Sequence, residues 1–132
     1  MRDKKITAFI VEDDPSSAEA LAETLYLYDM LPTALPDAEQ ALRVIPETQP
    51  DVLLIDMRLA GEMTGLDLLV SLLGNTQTRH IPAVAISAFM DEQMAYDLRR
   101  GGFAACFRKP FEADKIIATI QRLVEARLSP GP

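Results

Sequence analysis

The stretch Pro50-Asp51-Val52-Leu53-Leu54-Ile55-Asp56-Met57 constrains the fold more than any other part of this sequence. Four apolar residues in a row, two of them β-branched, stand between a proline and a carboxylate and predict a short strand buried on both faces. Such strands belong to parallel sheets covered by helices. Asp56 ends the strand. In open parallel α/β sheets, ligands and chemistry collect outside the carboxyl ends of the strands. Asp56 is therefore a candidate site residue, although taken alone it reads equally as a helix cap or a loop carboxylate.

Four more segments repeat the pattern. Ile6 to Val11 is apolar and β-rich, then switches abruptly to Glu12-Asp13-Asp14-Pro15, with Asp14 and Pro15 placed as N-cap and first residue of a helix reaching about Tyr28. Its inner face is expected to carry Ala18, Leu21, Ala22, Leu25 and Tyr28. Met30 to Leu35 is interrupted by Pro32 and predicts a strand at the sheet edge. Asp37 caps a helix through Ala41, Leu42 and Ile45, expected to end at Pro46. After the Asp56 strand, Thr64-Gly65-Leu66-Asp67 has capping-box spacing and opens a helix with Leu66, Leu69, Val70 and Leu73 inward, stopping at Gly74-Asn75. Pro82 introduces the strand Ala83–Ser87. Asp91 caps a fourth helix closing on Gly101-Gly102. Phe103 to Phe107 predicts the fifth strand, and the last helix faces inward with Ile116, Ile117, Ile120, Leu123 and Val124.

Five strands alternating with five helices imply an α/β fold, a parallel sheet covered on both faces. Right-handed crossovers bring every strand's carboxyl end to one edge. Glu12, Asp13, Asp56, Ser87 and Lys109 all follow strands directly and so converge there. The 132 residues suffice for one such domain, and the 48% hydrophobic and 25% charged content fits a folded chain. A formal charge of −7 argues against direct binding to nucleic acid or anionic lipid. The single cysteine, Cys106, excludes an internal disulfide. With no secretion signal or membrane span in the sequence, the expected location is the cytoplasm.

Three carboxylates, a hydroxyl and an ammonium at one rim suit a hard cation such as Mg2+, with Asp13 and Asp56 each offering an oxygen and Glu12 acting directly or through water. A carboxylate can also attack phosphorus to give an aspartyl phosphate. The three equatorial oxygens of the phosphoryl group are then satisfied by metal, hydroxyl and ammonium.

From Ile6 to about Leu128 the chain resembles the receiver domain of two-component response regulators, of the chemotaxis-regulator type. The resemblance rests on Glu12-Asp13 after the first strand, Asp56 ending the third, Ser87-Ala88 ending the fourth and Lys109-Pro110-Phe111 after the fifth. It implies a three-layer, doubly wound (βα)5 flavodoxin-like domain over residues 1–128, sheet order 2-1-3-4-5, with 129–132 as a C-terminal linker or tail. It further implies Asp56 as phosphoacceptor, with Glu12, Asp13, Asp56 and the main-chain carbonyl of Arg58 as Mg2+ ligands. Ser87 then reads the phosphoryl group and Lys109 pairs with it. The implied activity is autocatalysed aspartyl phosphorylation from a histidine kinase or histidine phosphotransfer protein, answered by a changed protein surface.

Three departures from the family pattern stand out. Ala60 replaces a common proline in a loop one residue longer than usual. Cys106 stands where the family usually has Tyr or Phe, so a thiol replaces the ring of the usual switch. Arg58 and Phe89 occupy the positions that tune loss of the phosphoryl group, and neither orients water, which predicts slow self-hydrolysis. Arg99, Arg100 and Arg108 read as a solvated face or a partner surface, and the fourth helix, fifth strand and fifth helix as a possible homodimer face. His80 reads as solvated. Two rival readings remain: a phosphorylation-independent docking module, and a magnesium-dependent phosphatase, disfavoured because Arg58 stands where such enzymes place a second acid.

Overall fold

The computed structural model describes residues 4–59 and 61–128. In chain order the elements are β1 (Thr7–Val11), α1 (Pro15–Leu27), β2 (Leu31–Leu35), α2 (Ala38–Thr48), β3 (Val52–Asp56), α3 (Gly65–Leu73), β4 (Ala83–Ser87), α4 (Glu92–Arg100), β5 (Ala105–Arg108) and α5 (Ala113–Leu128). The five strands are parallel in the order β2-β1-β3-β4-β5, the flavodoxin-like arrangement that the family resemblance implied.

Strand periodicity divides the core into two layers. Phe9, Val11, Leu53, Ile55, Ala83 and Ala85 face a cluster with Ala41, Ile45, Leu68, Leu72 and Leu98. Ala8, Ile10, Val52, Leu54, Val84 and Ile86 face the opposite cluster with Leu21, Leu25, Ile116, Ile120 and Val124. Every residue of β3 is buried, because this strand is covered on both faces and paired on both sides. At the sheet edge, the Leu31 N–H donates to the Ile6 carbonyl, which turns the next position, Pro32, away from β1. The missing N–H of Pro32 thus removes no ladder bond.

Four boundaries or faces differ from the sequence expectation. α2 runs through Pro46 to Thr48, because the lost N–H falls two residues from the helix end. The last turn is held there by Thr48 Oγ1 donating to the Val44 carbonyl at 2.8 Å, and by Gln49, at φ 52°, donating its N–H to Ile45 at 2.9 Å. β5 begins at Ala105 rather than Phe103. Gly102, at φ 123°, donates to the Arg99 carbonyl and Phe103 to Leu98, closing α4 in a Schellman motif that uses Phe103 as its hydrophobic lock.

α3 is rotated relative to the expected face. Leu68, Leu69 and Leu72 are buried, whereas Leu66, Val70 and Leu73 are exposed. An apolar residue on nearly every side of this helix leaves periodicity without a phase to report. Tyr28 likewise lies outside the core, as the C-cap of α1. The α3 capping box forms as expected: Asp67 donates its N–H to Thr64 Oγ1 and accepts from the Thr64 N–H. These bonds hold the Asp67 carboxyl below its usual pKa. Ala60 and the tail 129–132 lie outside the described residues.

Candidate functional site

Parallel register brings the candidate residues to one rim. Val11 pairs with Ile55, Asp56 with Ile86, and Ser87 with Arg108, so the residues ending or following these strands share a single edge. The Lys109 N–H donates to the Ser87 carbonyl at 2.8 Å and fixes the chain after β5 against the end of β4.

The centre of the site is an ammonium between two carboxylates. Lys109 Nζ donates to Glu12 Oε1 at 2.5 Å and to Asp56 Oδ2 at 2.8 Å. Both carboxylates are buried, at 7% and 8% exposure. The other oxygens are held by backbone. Glu12 Oε2 accepts from the Asp14 N–H at 3.3 Å, and Asp56 Oδ1 accepts from the Arg58 N–H at 2.7 Å. Ser87 is buried, its Oγ accepting from the Phe89 N–H at 3.2 Å.

Electrostatics follow from this packing. Burial raises the Glu12 carboxyl above its ordinary pKa, opposed by the Lys109 hydrogen bond and reinforced by the neighbouring Asp56. Burial works against the Lys109 ammonium, but its bonds to Asp56 and Glu12 outweigh that cost and its pKa rises. Two buried carboxylates share one ammonium, so the pocket is one positive charge short. Each of the four oxygens accepts one hydrogen bond from the protein and retains a further lone pair.

This donor set fits Mg2+. Among the described residues no three acidic, imidazole or thiol side chains form a ready cage, but Mg2+ is commonly held by one or two carboxylates with several waters. Glu12 and Asp56 offer hard oxygens short of positive charge, and Asp13, next to Glu12 in the chain, is exposed. Of the expected ligands, the structure brings Glu12 and Asp56 together, leaves Asp13 outside this hydrogen-bond set, and engages Arg58 through its N–H.

One contributor was missed in the sequence. A Cβ built on Gly65 would lie 2.4 Å from the Asp56 carbonyl oxygen, 2.7 Å from Met57 Cε and 3.1 Å from Ile55 Cγ2. Only glycine lets α3 begin against the backbone that carries Asp56. The available signal was a poor helix former directly after the capping Thr64. Cys106, half-buried, has its Sγ 3.8 Å from the Ala95 carbonyl of α4, and burial raises its thiol pKa. Arg58 and Phe89 are exposed at the rim.

The chain belongs to the response regulator receiver domain family, whose pattern matches residues 8–121. It is 30% identical over 125 residues to the C4-dicarboxylate transport transcriptional regulatory protein DctD of Pseudomonas aeruginosa, covering 95% of this chain and 26% of that protein. It is 34% identical over 82 residues to the polar-differentiation response regulator DivK of Brucella anthropi, covering 62% of this chain and 66% of that protein. The crystal structure of NtrX from Brucella abortus superposes with a TM-score of 0.85 at 26% identity, covering 94% of this chain and 28% of that one. The chain thus spans about a quarter of DctD and about two thirds of DivK. Among the described residues no helix is long and apolar enough to cross a membrane.

Proposed function

We propose that residues 1–128 form a phosphoacceptor receiver module, a phosphoprotein of the cytoplasm that takes a phosphoryl group from a histidine kinase or histidine phosphotransfer protein onto Asp56. The observation that carries this reading is the Lys109 ammonium bonded to both Glu12 and Asp56 at the carboxyl rim of the sheet. Asp56 is the nucleophile: one of its oxygens bonds to phosphorus as the donor's N–P bond breaks, and the imidazole leaves. The Arg58 N–H on Oδ1 orients the carboxylate. Lys109 supplies an ammonium, and Ser87 a hydroxyl, for the phosphoryl oxygens. Glu12, Asp13, Asp56 and the Arg58 carbonyl would hold Mg2+, which supplies positive charge against the charge developing on the transferring group. The phosphorylated state then alters a protein-binding surface, with α4, β5 and α5 as a candidate homodimer face.

Cys106 favours one alternative, a docking module that works without phosphate, because a thiol cannot turn inward as an aromatic ring does. Intact-mass spectrometry after incubation with acetyl phosphate and Mg2+ separates the two. The phosphoacceptor reading expects a gain of one phosphoryl group that needs Mg2+ and is lost in Asp56→Asn. No gain in the native chain would leave the docking reading.

A further inference from the structure

A cleft of about 340 Å³ opens beside the carboxylates, between α1 and the turn into α5. Its walls are the apolar side chains of Ile10, Leu21, Leu54, Ile86 and Phe111, and Glu12, Asp56 and Lys109 close one end. The volume falls in the range that accepts a small molecule. One apolar wall is stiffened by Phe111, whose ring meets Phe107 edge-on at 6.1 Å. The hydroxyls on the α1 side are already committed as donors, Ser17 to Asp14 and Thr24 to the Ala20 carbonyl. The cleft is therefore an apolar trough that ends in two carboxylates sharing one ammonium.

We propose that this cleft is a binding site for small amphipathic organic cations, an aromatic or alkyl body carrying one ammonium or amidinium. The apolar body displaces water from the cleft, at roughly 25 cal/mol for each Å² of apolar surface buried. The cationic head supplies the charge that Lys109 alone leaves unmatched, through the lone pairs remaining on Glu12 and Asp56. A neutral apolar molecule lacks the second interaction and a short amine the first, so affinity demands both parts. Because the head uses the carboxylates assigned to Mg2+, such a ligand opposes metal binding. The consequence that it also slows phosphorylation rests on the phosphoacceptor reading; the binding itself does not.

The test is a titration of the native chain with 2-phenylethylamine, 2-phenylethanol and ethylamine, followed by methyl NMR. Expected is a saturable shift of the Ile10, Leu54 and Ile86 methyls by 2-phenylethylamine, at least about tenfold tighter than either control and weakened by added Mg2+. Thr24→Phe or Ala20→Trp, substitutions on the α1 wall of the cleft, should abolish it, with circular dichroism verifying that each variant folds. Equal affinity for the alcohol and the amine, shifts that do not saturate, or binding unchanged in both folded variants would overturn the proposal. A chain that binds the amine but is never phosphorylated by acetyl phosphate would keep the site and remove only the phosphoacceptor reading.

Discussion

Gly65→Ala tests how closely the start of α3 is fitted to the backbone of Asp56. The new Cβ meets three atoms, and they differ in how easily they yield. Met57 Cε is the end of a flexible side chain and moves at little cost. The Asp56 carbonyl does not, because its residue ends a strand paired on both sides and the next N–H, of Met57, donates to the Ile86 carbonyl at 2.9 Å. Opening the 2.4 Å approach to an ordinary C···O contact of about 3.3 Å requires a shift of roughly 0.9 Å between α3 and β3. Overpacking of this kind costs about 1–3 kcal/mol, while replacing glycine by alanine in a helix returns up to about 1 kcal/mol. Subtracting the two ranges leaves about 0–3 kcal/mol, with a middle value near 1.5 kcal/mol, or roughly 5 °C in Tm for a chain of this size. Whatever part of that shift is passed on to Asp56, the proposed phosphoacceptor, also slows its phosphorylation, since misplacement by about 1 Å can cost on the order of a hundredfold. Urea unfolding followed by circular dichroism and the rate of acetyl phosphate labelling measure the two effects. A variant as stable as the native chain and phosphorylated as fast would refute the steric reasoning.

Lys109→Met should lower the urea midpoint in metal-free buffer, since it leaves Glu12 and Asp56 without their shared cation, a loss of roughly 1–3 kcal/mol; added Mg2+ should recover part of it, and a variant unaffected by either condition would contradict the charge accounting. The Lys109 pKa is raised above its ordinary 10.5 in the folded chain. Towards alkaline pH its contribution is therefore lost only as pH rises through the raised value, so on that side native and variant midpoints should converge only above pH 10.5, while on the acid side they draw together as Glu12, its own pKa raised, takes up a proton. Arg58 and Phe89 provide no carboxylate or amide to orient an attacking water. Aspartyl phosphate on this chain should therefore decay with a half-life longer than seconds, and rapid decay of labelled protein would count against that assignment.

The strand layers were readable because β1, β3 and β4 are apolar runs whose burial on both faces is recorded in composition itself. The site followed from topology: once the strands are parallel, Glu12, Asp56, Ser87 and Lys109 must reach the same rim. What could not be read were features set by contact rather than pattern. The face of α3 depended on the neighbouring helices, since Leu66, Val70 and Leu73 are as apolar as Leu68, Leu69 and Leu72. The start of β5 depended on Phe103 closing α4 rather than pairing with β4. The Lys109 bridge joins residues far apart in the chain, and the approach of Gly65 to Asp56 is set by how α3 packs against β3, so no spacing rule reports either.

Asp56 as the carrier of the phosphoryl group is tested most directly by locating the modified residue. Borohydride reduction of the phosphorylated chain, followed by peptide fragmentation, converts the labelled aspartate to homoserine and so locates it. Conversion at Asp56, dependent on Mg2+, is the predicted result. Conversion at Asp13, or at another carboxylate with Asp56 unmodified, would contradict the account.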